Sequence, residues 1–169
     1  MGLCHRLAGF AAARGRRFGV KLCNTLEVRN NRGFFTADCP VMYLSGQPLY
    51  VLTMALADAL REAVGPELPF SYSGGVDKDN FADTVACAFV PVTVCTDLLR
   101  TGGYGRLPAY LRRLADAMRE AGAADIPGFI RARGGAQSLA AVATAAAASE
   151  RYRPERVCRE PHHLDAALE

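Results

Sequence analysis

Three short clusters in the chain carry residue types that hold small ligands, and each follows an apolar run. Asn24-Thr25 follows Phe18–Leu22, Ser73-Gly74-Gly75 follows Pro69–Tyr72, and Thr96-Asp97 follows the β-branched run Phe89–Cys95. In Ser73-Gly74-Gly75 two glycines let the backbone approach an anion closely. Peptide N–H groups beside a helix N-terminus add positive potential there. The same residues also suit an ordinary strand-to-helix turn. Thr96 offers a hydroxyl and a backbone N–H, and two adjacent strand ends of this kind make a phosphate cradle. Asn24-Thr25 presents amide and hydroxyl groups to a planar heterocycle, or is plain loop chemistry. Lys21 is a cation inside an apolar run, which either meets a polar ligand or snorkels to water. Cys95 reads as a small buried residue rather than a nucleophile, because His5, His162 and His163 all lie towards the chain's ends.

The remaining reactive residue types point away from chemistry. Cys4, Cys23, Cys39, Cys87, Cys95 and Cys158 include no C-x-x-C pair, so neither a zinc ribbon nor an iron–sulfur run is written here. Arg6 and Arg14 interrupt the apolar stretch around Phe10, so it does not read as a secretory signal. Reduced thiols in a cytoplasmic protein are the expectation. Cys158 with His162-His163 has metal-ligating types without a supporting frame, and no metal site is expected. Arg106, Arg112, Arg113 and Arg119 fall on or near one helix with Asp116 and Glu120, the pattern of a solvated face. A net charge of +3 gives no footprint for nucleic acid or an anionic membrane. The charge-free run Gly134–Ser149 is too short and too weakly apolar to span a bilayer.

The length of 169 residues, half of them hydrophobic, suits one ordinary domain with a buried core. Helical periodicity appears over Leu3–Arg16 and over Leu49–Val64, where Leu49, Leu52, Leu56, Leu60 and Val64 recur at three and four residues. It appears again over Asp77–Ala88, with Asp79 or Asn80 able to cap, and over Arg106–Ala121. A short helix over Asp125–Ala132 and an Ala-rich one over Gln137–Arg151 follow. Strands are predicted at Phe18–Leu22, Pro69–Tyr72 and Phe89–Cys95, with a loop from Asn24 to Pro40 and a short apolar piece at Val41–Leu44. The alternation gives an α/β class with parallel strands, and right-handed crossovers bring the three ligand-type clusters to one edge.

Together these motifs resemble a known family. Asn24-Thr25, Leu44-Ser45-Gly46-Gln47-Pro48-Leu49, Ser73-Gly74-Gly75-Val76-Asp77 and Val94-Cys95-Thr96 resemble the last third of dihydroorotate dehydrogenase-like barrels in order and spacing. Pro91–Arg100 with Gly102-Gly103-Tyr104-Gly105-Arg106-Leu107 resembles the barrel region of the selenate reductase flavoprotein subunit family. That family is similar to dihydropyrimidine dehydrogenase and the glutamate synthase small subunit. Two positions depart from the pattern: Ala88 stands where the family carries glycine, and Phe34–Tyr43 lacks a paired glycine before Leu44-Ser45-Gly46.

The resemblance implies a partial (β/α)₈ TIM barrel, roughly its last three βα units, over residues 1–122. A helical extension over 123–151 and a flexible tail over 152–169 would follow. It implies an FMN-type site in which Ser45-Gly46, Ser73-Gly74-Gly75 and Cys95-Thr96 surround the phosphate. Asn24-Thr25 would face the flavin ring or the substrate, with Lys21 a further candidate. It also implies that FAD, NAD(P)H and iron–sulfur clusters sit in other parts of a longer flavin-dependent oxidoreductase. That remainder would be this chain's partner, with no nucleic acid or membrane involved and no activity in 169 residues alone. The alternative is a flavin-free barrel remnant that serves as a scaffold or a subunit-docking domain.

Overall fold

The computed structural model describes residues 2–31, 33 and 35–152. Cys158, His162, His163 and the expected tail beyond Tyr152 lie outside the described residues. Helix α1 (Gly2–Ala12) leads into β1 (Val20–Leu22), and an antiparallel hairpin of β2 (Leu26–Arg29) and β3 (Val41–Leu44) follows. Then come α2 (Pro48–Val64), β4 (Phe70–Ser73), α3 (Phe81–Ala86) and β5 (Val92–Thr93). Two 3₁₀ turns, Thr96–Leu99 and Gly103–Arg106, precede α4 (Leu107–Glu120) and α5 (Ile126–Ala132). A third 3₁₀ turn, Gly135–Ser138, opens α6 (Leu139–Ala148), and Glu150–Tyr152 forms a last one.

The sheet has the order β1-β4-β5 with both pairings parallel, so all three strands end on the same edge. One face of it carries Leu22, Phe70 and Tyr72, all buried, with Val20 and Val92 packed beside them. Against that face lie Tyr50, Met54 and Ala57 of α2, and Leu139, Ala143 and Ala146 of α6. Strand alternation puts Lys21, Ser71, Ser73 and Thr93 on the other face, and none of these four is buried. The sheet is therefore apolar on its helix side and polar on the other.

Three local expectations fail for identifiable reasons. The stretch from Asn24 to Pro40 reads as loop, yet it holds β2 and leads into β3. Neither strand has a buried residue, so there is no apolar alternation to read. The run Phe89–Cys95 shrinks to two paired residues, because Pro91 has no N–H to give to a ladder and Val90 points to solvent. Helix α2 forms where its leucines predict, but it buries a different face: Leu49, Tyr50, Thr53, Met54 and Ala57. Tyr50 decides this orientation. Its ring packs edge-on to Tyr72 at 5.8 Å and stacks on Tyr152 at 5.3 Å, and its carbonyl accepts from the Tyr72 hydroxyl at 3.1 Å. Leu52 and Leu56 are left 49% exposed.

Arg61 closes the far end of α2. One guanidinium nitrogen donates to the carbonyls of Gly65, Pro66 and Leu68 at 3.1, 3.0 and 2.8 Å, and the group lies over the Phe70 ring. These bonds satisfy carbonyls around the helix end and aim the chain into β4. Among the described residues no helix is long and apolar enough to cross a membrane.

Candidate functional site

A cavity of about 120 Å³ opens where the three parallel strands end. Asn24 and Thr25 come from the segment after β1, and Ser45, Gly46 and Gln47 from the entry to α2. Ser73, Gly74, Gly75, Val76 and Asp77 come from the loop after β4, and Thr93, Cys95, Thr96, Asp97 and Arg100 from β5 and the turn behind it. The structure thus brings together nine of the sequence candidates: Asn24, Thr25, Ser45, Gly46, Ser73, Gly74, Gly75, Cys95 and Thr96. The tenth, Lys21, is exposed on the polar face of β1, paired in register with Ser71, and does not line the cavity. Gln47, Asp77, Asp97 and Arg100 are lining residues that the sequence did not single out.

The two glycines of the β4 loop are needed for packing. Gly75 has φ +64°, and a Cβ there would stand 2.4 Å from the Gly46 carbonyl oxygen and 2.9 Å from the Tyr50 nitrogen. A Cβ on Gly74 would stand 2.9 Å from Thr53 Oγ1. The loop is therefore pressed against the first turn of α2, which closes two walls of the cavity on each other. The N–H groups of Gly74, Gly75 and Thr96 are not taken up by any other described residue. Donors at a strand edge in this state suit an anion's oxygens.

Asp77 pins the same corner and is 3% exposed. Its Oδ2 accepts from Gln47 Nε2 at 2.6 Å and from the Arg151 guanidinium. Its Oδ1 accepts from the Asp79 N–H at 2.8 Å, while its own N–H donates to Asn80 Oδ1 at 2.9 Å. Asn80 caps nothing with its side chain. It spends Nδ2 on the Gly75 carbonyl and the Tyr152 hydroxyl. One buried carboxylate thus joins the α2 entry, the β4 loop and the C-terminal turn. Asp79, nearby and more exposed, is shared by Lys78, Arg113 and Arg151.

Asp97 forms the opposite wall. Arg106 donates to both of its oxygens, at 3.0 and 2.8 Å, and the Tyr110 hydroxyl donates at 2.6 Å. Arg100 stands 4.0 Å away. Burial pushes the Asp97 carboxyl up, but the bonds from Arg106 and Tyr110 and the charges of Arg106 and Arg100 outweigh it, leaving it below the ordinary carboxylate range. A folded-state value below the unfolded one, about 3.9, gives stability that is present above that value. That stability is lost as pH falls through the folded value. Asp97→Asn is expected to cost about 1–2 kcal/mol at pH 7, discounted because Arg106 reaches solvent. The gap to the parent protein should close below about pH 4. Urea melts of both proteins across pH 3–7 check this, and a gap that does not change with pH would refute the charge-based account.

Among the described residues no group of three or more His, Cys, Asp or Glu side chains is placed to hold a metal ion. Cys4, Cys23, Cys39, Cys87 and Cys95 are free thiols. Of these only Cys95 lines the cavity, and it is exposed rather than buried as its sequence context suggests.

Comparison with known proteins adds to this geometry. A family model described as "Oxidoreductase YgfK, N-terminal TIM-barrel domain" matches residues 1–153. "Putative oxidoreductase YgfK" of Escherichia coli (strain K12) is 40% identical over 112 residues, which is 66% of this chain and 11% of that protein. The protein of the same name in Escherichia coli O157:H7 gives the same figures. The chain thus spans about a tenth of the length of these curated relatives. No solved structure matches it.

Proposed function

This chain belongs to the family of the oxidoreductase YgfK N-terminal TIM-barrel domain, and from that premise we propose that its cavity is the phosphate end of an FMN-type site. The observation that carries the reading is the convergence of three strand-end loops on one cavity where the N–H groups of Gly74, Gly75 and Thr96 have no other described partner. Gly74, Gly75 and Thr96 would hold the phosphate through the backbone, Ser45, Ser73 and Thr96 through hydroxyls, and Arg100 through charge. Asn24 and Thr25 would lie towards the ring. The cavity is small beside the 300–1,000 Å³ of a full ligand pocket, so it suits the phosphate, and the rest of the cofactor would lie over the open polar face. Bound flavin would supply hydride and single-electron chemistry. The chain's own part is to anchor and orient it.

In this reading the chain is a partial barrel of a longer flavin- and iron–sulfur-linked oxidoreductase of the selenate reductase or dihydropyrimidine dehydrogenase type. The rest of that protein is its partner. The direct experiment is titration of FMN into the purified chain, followed by flavin fluorescence, with riboflavin as the control that lacks the phosphate. Saturable binding of FMN and not of riboflavin is expected. Equal binding of both, or of neither, would refute the phosphate cradle. The exposed leucines of α2 favour a second reading, a docking domain without flavin, and absence of FMN binding would leave that reading standing.

A further inference from the structure

Among the described residues the charged groups lining the cavity are Asp77, Asp97 and Arg100. Two arginines behind the wall meet the carboxylates: Arg106 pairs with Asp97, and Arg151 pairs with Asp77 and, at 3.3 Å, with Asp79. Asp97 has Arg106, Tyr110 and Arg100 around it, so its charge is covered several times over. Asp77 is nearly fully buried, and among the described residues its carboxylate accepts, besides Arg151, from the neutral donors Gln47 Nε2 and the Asp79 N–H. The Lys78 ammonium is turned to Asp79, at 2.7 Å.

We propose that Arg151, which does not line the cavity, sets the cavity's preference for anions by neutralising Asp77. This names a specificity-determining residue for the site described above, and for its ligand it rests on the phosphate reading. The physical argument needs no ligand. A buried carboxylate that loses the guanidinium in contact with it presents more of its negative charge to the cavity, and in a partly dry site one unit charge acts strongly over a few ångströms. Arg151 also holds the wall in place through Asp77, so charge and position must be separated by experiment.

Cys95 offers a probe inside the cavity. The purified chain is treated with a sulfonate-bearing or a trimethylammonium-bearing methanethiosulfonate, and modification of each cysteine is followed by peptide mass analysis. The ratio of anionic to cationic rates at Cys95 reports the local potential. Cys39, exposed on the hairpin segment, serves as the reference. Cys87 is buried, with its thiol pushed up to about 11 by that burial, and will react slowly with both reagents.

Arg151→Gln is expected to lower the Cys95 ratio on the order of tenfold and leave that of Cys39 unchanged. Arg151→Lys should retain most of the ratio. The double variant Arg151→Gln/Asp77→Asn should restore it, because no charge then needs covering. FMN affinity should follow the same order across the four proteins. A ratio unmoved by Arg151→Gln overturns the proposal. So does a loss that Asp77→Asn fails to restore, which would make Arg151 purely structural. Thiol ratios that behave as expected in a chain that binds no FMN would support Arg151's role and refute the phosphate reading.

Discussion

Gly75→Ala will destabilise the chain by about 3 kcal/mol or more, measured as the shift in urea unfolding. Two costs combine. The position has φ +64°, which an L side chain rarely adopts, and the new Cβ would meet the Gly46 carbonyl at 2.4 Å and the Tyr50 nitrogen at 2.9 Å. Both contacts are backbone, one at the first turn of α2 and one at its entry, so neither can rotate away. The loop and the helix must separate, and with them two walls of the cavity. Gly75→Asp should abolish FMN binding for this reason before any repulsion by its carboxylate acts. Gly9→Ala is the control. That glycine sits inside α1 with nothing within 4 Å of a Cβ, and the change should stabilise by up to about 1 kcal/mol. A Gly75→Ala protein as stable as its parent would refute the packing described for the loop.

The purified chain of 169 residues is expected to self-associate, because too much apolar surface is left in water. Leu52 and Leu56 face solvent on α2, Leu111 does so on α4, and Val90, Leu99 and Tyr104 are each more than half exposed. Among the described residues the sheet's outer strands β1 and β5 also have one edge each without a pairing strand. Contiguous apolar area beyond a few hundred Å² and open strand edges both promote association. Light scattering should show oligomers or aggregates, and Leu52→Glu with Leu56→Lys should shift the distribution towards monomer. A monomeric parent with a sharp cooperative melt would refute this. It would mean that the three strands and their helices are self-sufficient.

The positions of the site residues were legible because they depend on local order. A hydroxyl, amide or glycine cluster straight after an apolar run falls at a strand end, and parallel strands share that end. Asn24, Thr25, Ser73, Gly74, Gly75 and Thr96 reach the cavity on this logic, whereas Ser45, Gly46 and Cys95 were candidates only through the resemblance to the barrel family. Lys21 stands outside the cavity by one step of alternation: its neighbour Leu22 faces the helices, so Lys21 faces the polar side, one residue pair below the rim. Asp77 and Asp97 were in plain view beside the clusters, directly following Val76 and Thr96. Their significance comes from partners that sequence proximity does not reveal. Arg106 lies 9 residues from Asp97, and Arg151 lies 74 residues from Asp77. The leucine stripe of α2 located the helix and misjudged its rotation: Tyr50 and Met54 pack in the core with Tyr72, and Leu52 and Leu56 are left half-exposed. The hairpin showed only as the short apolar piece Val41–Leu44, since neither of its strands buries a residue.

The pairing of Arg151 with Asp77 also has a consequence for how the chain is made. A ribosome emits the β4 loop first and must add 74 more residues before Arg151 exists. At about 5–20 residues per second that delay is on the order of ten seconds. From the emergence of β5 onward, β1, β4 and β5 can lie side by side while Asp77 still lacks its Arg151 partner. If Arg151 sets the cavity's preference for anions as proposed, that preference would be complete only when the Glu150–Tyr152 turn arrives. A phosphate-bearing cofactor loaded during synthesis would have to wait for that last turn. The order of translation, which no folded structure displays, would then set when this site can first be filled.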